Sequence, residues 1–171
     1  ELKNIFVRNA VKEAVPGTGG YSTTKMSTPD YLTGNYTGSS GTVAYLANSV
    51  TPPVSVGTEH KTDYWFYILP NEEATRTALV LEGTFKKSAS DAGTIIYYPI
   101  IVNKSQTGTN ITGASGTGTS NIARNTTYAI KATIKNIGTG DPTGEINPTS
   151  LELTVSVADW ALNITQDVTF E

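Results

Sequence analysis

Apolar and polar residues alternate with a period of two along much of the chain. Leu151, Leu153, Val155 and Val157 alternate with Glu152, Thr154 and Ser156, which puts the apolar set on one face of a strand. After Trp160 a second run repeats the pattern: Leu162, Ile164, Gln166, Val168 and Phe170 against Asn163, Thr165, Asp167 and Thr169. Upstream, Tyr128, Ile130, Ala132 and Ile134 share a face opposite Lys131, Thr133 and Lys135. Leu79, Leu81 and Phe85 alternate along another strand, with Gly83 a candidate bulge. Ile5-Phe6-Val7 reads as a first strand and Thr42 to Leu46 as a short one, with Pro52-Pro53 preventing regular pairing just after it. Two runs are continuously apolar. Tyr64 to Leu69 reads as a central strand entering a turn at Pro70-Asn71, and Ile95 to Val102 as a strand in which Pro99 marks an edge or a bulge.

Between these runs lie turn formers. Ser88 to Gly93 is a turn cluster, and Lys104 to Ser120 and Gly138 to Thr149 are polar loops, the second carrying Asp141-Pro142 and Asn147-Pro148. Pro16 to about Ser40 reads as an ordered surface loop pinned by Tyr21, Tyr31 and Tyr36. The best helical window, Arg8 to Val15, is cut off by Pro16 and the glycines that follow it. About seven to nine strands with no alternating helices predict an all-β fold: an antiparallel two-sheet β-sandwich of the transthyretin-like or Greek-key type. The 171 residues suit one such domain, 1–171.

Composition narrows the function. Charged residues make up only 16% of the chain, the balance being Gly, Ser, Thr and Asn, as on the outer strands of extracellular β proteins. The net charge of -3, with no basic stripe, argues against nucleic acid as a partner. With no cysteine and one histidine, His60, neither thiol catalysis nor an imidazole-rich metal site is expected, and no cofactor is expected. No Gly-x-Ser-x-Gly elbow is present to place a nucleophile for His60. Glu72, Glu73, Asp63 and Glu82 are the carboxylates that could work as a pair on a glycan, but Glu72-Glu73 follows a turn where acidic residues are ordinary. The glycine-rich stretches lack the Gly-Lys-Ser/Thr ending of a phosphate loop, and Asp141 and Glu145 lack calcium-loop spacing. No enzyme is expected. No transmembrane segment is expected either, since no stretch approaches 18 apolar residues.

The last third carries the most specific pattern: Arg124-Asn125-Thr126-Thr127-Tyr128 at a strand start, Leu151 to Val157, Ala158-Asp159-Trp160, then the final alternating run. It resembles the C-terminal domain of the Bacteroidales fimbrillins, the type V pilins, with an Arg-Asn-x-x-Tyr strand start and a Val-x-Val-x-x-Trp strand end. Ile68-Leu69-Pro70-Asn71, Gly83-Thr84-Phe85, Tyr97-Tyr98-Pro99-Ile100 and the opening Ile5 to Asn9 are similar to further landmarks of that family. The family's pilins usually have two sandwich domains, so the resemblance implies the C-terminal domain of a longer pilin. A start at Glu1-Leu2-Lys3, neither Met nor a signal peptide, fits a trimmed chain.

The resemblance implies a structural subunit of a surface fimbria attached to the outer membrane, polymerising with other pilin subunits by β-strand exchange and supporting adhesion. Its donor strand here would be 162–170, with Leu162, Ile164, Gln166, Val168 and Phe170 filling pockets. The other reading of the same run is the last strand of this domain's own sheet. A rival function is a carbohydrate-binding module or tip adhesin. It would hold a host or bacterial glycan, or a surface protein, through Tyr64, Trp65 and Tyr67. Alternation along a strand, however, would send half of that aromatic cluster into the core.

Overall fold

The computed structural model describes residues 1–11, 36–38, 41–43, 47–55, 57, 59, 63–71, 76–105, 109–113, 118–143 and 151–159. Among them are nine strands and no helix. They are β1 (Leu2–Arg8), β2 (Tyr36–Gly38), β3 (Gly41–Val43), β4 (Ala47–Val54), β5 (Ala78–Phe85), β6 (Thr94–Ile101), β7 (Thr109–Gly113), β8 (Thr126–Ile134) and β9 (Leu151–Asp159). A four-stranded sheet has the order β4-β1-β5-β6, a three-stranded sheet the order β7-β9-β8, and β2 pairs with β3. The fold is an all-β sandwich. The four-stranded sheet is antiparallel throughout. The second sheet is mixed, because β7 runs parallel to β9 while β8 runs antiparallel to it.

The main core lies on the sheet face that carries Ile5, Leu81, Tyr98 and Ile100, joined by Val50 of β4. Ile130 and Ala132 of β8 pack against it, as do Tyr64 and Phe66. The opposite face of β1 and β5 is also buried: Phe6, Ala78 and Val80 form a second cluster with Tyr97 against them. Burial on both faces explains why Ile5-Phe6-Val7 and Ala78 to Leu81 are continuous apolar runs, whereas β9 alternates. In β9, Val155 and Val157 are buried while Glu152, Thr154 and Ser156 are exposed.

Several local rules are met differently from expectation. Gly83 keeps unbroken register with β6, and the irregularity lies on β1, between Leu2 and Asn4. The glycine is needed for close approach instead: a Cβ there would lie 2.6 Å from the Glu1 carbonyl oxygen, which accepts the Thr84 N–H at 2.8 Å. Pro52 and Pro53 lie inside β4 rather than ending it. β4 is an edge strand, and its register with β1 breaks between Asn4↔Ser49 and Leu2↔Val54, so the missing N–H groups cost little ladder. The loop expected over 104–120 contains β7, a five-residue polar strand with one apolar residue, Ile111. The alternation test has too little to act on there.

The run 63–70 alternates in exposure but joins no ladder among the described residues, so it is not the central strand expected from its sequence. It is tied down just beyond, where Asn71 and Ile122 exchange backbone bonds of 3.1 and 3.2 Å.

Asn71 is itself fully buried, at the centre of a polar hub. Its side-chain amide donates to Thr77 Oγ1, and its Oδ1 accepts the Ile122 N–H at 3.2 Å. Thr77 Oγ1 in turn donates to the Asn9 carbonyl at 3.2 Å, and the Thr77 carbonyl accepts the Val102 N–H at 3.0 Å. The ends of β1 and β6 and the start of β5 are thus tied to the segment that enters β8. Buried polar groups left unpaired cost about 1–3 kcal/mol each. Asn71→Ala is therefore expected to lose about 2–3 kcal/mol, a fall in Tm of roughly 5–10 °C for a domain of this size, read by calorimetry or circular dichroism.

Candidate functional site

A domain that assembles must offer backbone or apolar surface to a neighbour, so the sheet edges and the exposed apolar residues are the places to examine. Of the four edges of the two main sheets, three are blunted. β4 carries Pro52 and Pro53. β6 carries Pro99, and Tyr97 already exchanges backbone bonds of 2.7 and 2.9 Å with Thr139. The Tyr98 hydroxyl, its pKa raised by burial, donates to the Asn136 carbonyl at 2.9 Å and holds the same arm in place. β7 has only five residues.

β8 differs. It is a nine-residue, proline-free edge strand whose one charged residue is Lys131. Among the described residues only β9 pairs with it. Ala129, Lys131 and Thr133 are exposed, and Ile134 is 43% exposed despite its apolar side chain.

The start of β8 is set by local chemistry. Asn125 adopts a left-handed φ of 51°, a conformation Asn tolerates better than most residues. The Tyr128 hydroxyl accepts the Ala123 N–H at 2.9 Å and donates to the Asn121 carbonyl at 3.4 Å, folding the incoming chain back onto the strand. This gives a physical reason for an Arg-Asn-x-x-Tyr spacing. Asn103, also buried with a left-handed φ of 60°, accepts the Gly118 N–H at 3.1 Å and donates to the Asn121 carbonyl at 2.9 Å.

The aromatic cluster divides by alternation. Tyr64 and Phe66 pack on the core, so Tyr64 does not share a surface with the other two candidate glycan residues. Trp65 and Tyr67 face outward, 67% and 71% exposed, followed by Leu69 at 38%. Of the carboxylates, Asp63 is exposed and Glu82 accepts the Asn4 side-chain amide at 2.7 Å within the sheet. Glu72, Glu73 and His60 lie outside the described residues. Among the described residues, no group of three His, Cys, Asp or Glu could hold a metal ion, and no helix is long and apolar enough to cross a membrane. The donor-strand candidates Leu162, Ile164, Gln166, Val168 and Phe170 lie outside the described residues, as does Trp160.

Among known families, the one described as FimA4 pilin C-terminal domain matches residues 11–160. The chain belongs to that pilin family. A crystal structure of a fimbrilin from Porphyromonas gingivalis W83 superposes with a TM-score of 0.55 at 22% identity, covering 92% of this chain and 50% of that one. A putative cell adhesion protein from Parabacteroides distasonis ATCC 8503 gives 0.53 at 19% identity, covering 94% of this chain and 52% of that one. At these identities the likeness is one of fold. The pilin domain thus spans about half the length of the solved proteins it resembles. No curated protein matches it. The resemblance read from Arg124-Asn125, Tyr128 and Trp160 is thereby upheld at the level of the family.

Proposed function

We propose that this chain is the C-terminal domain of a structural subunit of a bacterial surface pilus, joined to its neighbours by β-strand exchange with residues 162–170 as the donor. Membership of a pilin family carries the first half of this reading. The second half rests on the alternation of 162–170, in which Leu162, Ile164, Val168 and Phe170 share a face with Gln166. An extended segment of that length spans about 30 Å. Backbone bonds to a sheet edge supply affinity, and alternate side chains supply register. Four large apolar side chains contribute a gross ~6–12 kcal/mol when buried, before the cost of ordering the strand. On this reading the protein works outside the cell, at the bacterial surface, and its role is mechanical and adhesive rather than catalytic.

The test is deletion of 162–170. The shortened chain is expected to keep its circular dichroism spectrum and cooperative melting but to form no polymer under conditions in which the whole chain does. A shortened chain that unfolds as a monomer would show that 162–170 completes its own sheet, and strand exchange through it would be wrong.

One observation favours a second reading. Trp65 and Tyr67 present two aromatic rings on one exposed face, spaced about 6.6 Å apart along an extended chain. Adjacent sugar rings could stack there, with the indole N–H placed beside their hydroxyls. Trp65→Ala with Tyr67→Ala should then abolish glycan-array binding without lowering Tm. An array with no binder at millimolar sensitivity would end this reading.

A further inference from the structure

We infer that the arm 136–141 is a detachable guard on the edge of β6. It holds the backbone groups that a second copy of the chain would otherwise take, and lifting it lets the β6 strands of two copies pair. The inference stands apart from strand exchange through 162–170. Three observations carry it.

The first is the edge itself. β6 has eight residues, of which six are isoleucine or tyrosine. In an antiparallel ladder the backbone groups of alternate residues point to opposite sides. Tyr97, bonded to Thr139, points away from β5, and so do Ile95, Pro99 and Ile101. Pro99 has no N–H, and the Ile101 carbonyl accepts the Lys104 N–H at 3.3 Å. Tyr97 is therefore the residue at the middle of this edge whose N–H and carbonyl a further strand would need. An apolar edge strand is a template for pairing unless it is covered.

The second is how closely the arm is fitted to that residue. Tyr97 and Thr139 exchange backbone bonds of 2.7 and 2.9 Å, which uses both groups of Tyr97. Gly138 lies flat on the strand: a Cβ there would stand 2.4 Å from the Tyr97 carbonyl oxygen and 3.0 Å from Cζ of Tyr98, so a residue with a side chain would push the arm off. The Tyr98 hydroxyl latches it through the Asn136 carbonyl at 2.9 Å. Thr139 Oγ1 accepts the Asp141 N–H at 3.1 Å, and Asp141 Oδ1 accepts the Thr143 N–H at 2.7 Å, closing a turn just past the edge.

The third is that the arm is lightly held elsewhere. Asn136, Ile137 and Gly140 are exposed, and a Cβ on Gly140 would meet nothing within 4 Å. A surface segment with few buried contacts opens far more cheaply than the sheet beneath it. With the arm lifted, two β6 strands can pair antiparallel about Tyr97. The two Tyr97 residues then exchange backbone bonds, and each Ile95 N–H meets the carbonyl of the other copy's Pro99. Ile95, 55% exposed in the free domain, gains a neighbour. Such a contact is isologous and closes as a dimer, unlike a strand-exchange filament.

Amide hydrogen exchange on the whole chain, read residue by residue by mass spectrometry, tests this. Gly138→Val is expected to keep cooperative melting while its Tyr97 and Thr139 amides exchange about tenfold faster or more in dilute solution. Raising its concentration from micromolar to millimolar should restore protection at Ile95 and Tyr97, as β6 pairs with β6. Ile95→Lys added to Gly138→Val should prevent that recovery, because a lysine blunts an edge. In the parent, monomeric or polymerised, exchange at these amides should not depend on concentration. Tyr98→Phe, which removes only the latch, should speed the Tyr97 amide about threefold or more. It serves for the same concentration series if Gly138→Val fails to fold. Fast exchange that stays independent of concentration would show that the edge needs no guard. Unchanged exchange at Tyr97 in the folded variants would show that the arm does not cover it.

Discussion

Phe6→Ala is expected to destabilise the domain by about 3–5 kcal/mol, the usual cost of emptying a buried phenylalanine site. Phe6 is 1% exposed in β1, a strand bonded on one side to β4 and on the other to β5. Ala78 and Val80, both fully buried, pack beside it, and Tyr97 lies against the cluster. The ladders on both flanks leave the backbone little freedom to collapse into the cavity, which keeps the cost toward the upper end. Against a typical total stability of 5–15 kcal/mol, the loss takes a large share of the folded population. Chemical denaturation of the variant should show a lower midpoint at unchanged slope. Thr133→Ala, on the exposed face of β8, should stay within about 0.5 kcal/mol of the parent. A Phe6→Ala loss below about 1 kcal/mol would mean that this face of the sheet is not the packed layer described.

Single charges in the donor segment should separate its two faces. On the proposed strand exchange, Ile164→Asp and Val168→Asp would each place a carboxylate where a neighbour's apolar surface has to close. Burying an unpaired charge costs several kcal/mol, and each 1.4 kcal/mol is a factor of ten. The concentration needed for polymerisation should rise about a hundredfold or more for either variant. Asn163→Asp and Thr165→Asp, on the opposite face of the strand, should move it by less than about threefold. Pelleting across a concentration series reads all four. Equal sensitivity at all four positions would indicate a charge effect without strand geometry, and indifference at all four would remove 162–170 from the joint.

What could be read from the sequence follows from what each element asks of its residues. β5, β6 and β8 have an apolar face against the main core, β9 buries Val155 and Val157, and their patterns marked them as strands. Tyr64 to Leu69 misled for an instructive reason. The alternation of buried and exposed side chains is real, with Tyr64, Phe66 and Ile68 partly buried and Trp65 and Tyr67 outside. Backbone pairing is a separate property, and an extended run can pack its side chains without joining a ladder. β7 escaped notice because a short parallel edge strand with one apolar residue has almost no pattern. The hub at Asn71 was hidden because asparagine after proline is ordinary turn chemistry. Only the position of Ile122, 51 residues along the chain, shows that its side chain is buried and bonded. The placing of β8 at a sheet edge among the described residues depended on topology in the same way: alternation identifies a strand but not which strands flank it.

The landmarks that pointed to the family turn out to be positions where the backbone makes specific demands. Gly83 admits the Glu1 carbonyl, Asn125 turns the chain into β8, Tyr128 ties that turn back, and Asn71 joins distant segments. None of them is chemistry in the catalytic sense. They hold a sandwich together.

The central claim is that 162–170 joins one copy to the next. Its most direct test is a sedimentation-velocity measurement on the whole chain mixed with rising fractions of a copy lacking those residues. On that claim the shortened copy can accept a strand but offers no donor, so it should enter a growing polymer and stop it, shortening the mean length in proportion to its fraction. Polymer lengths that do not change with the fraction of shortened copy would contradict the account.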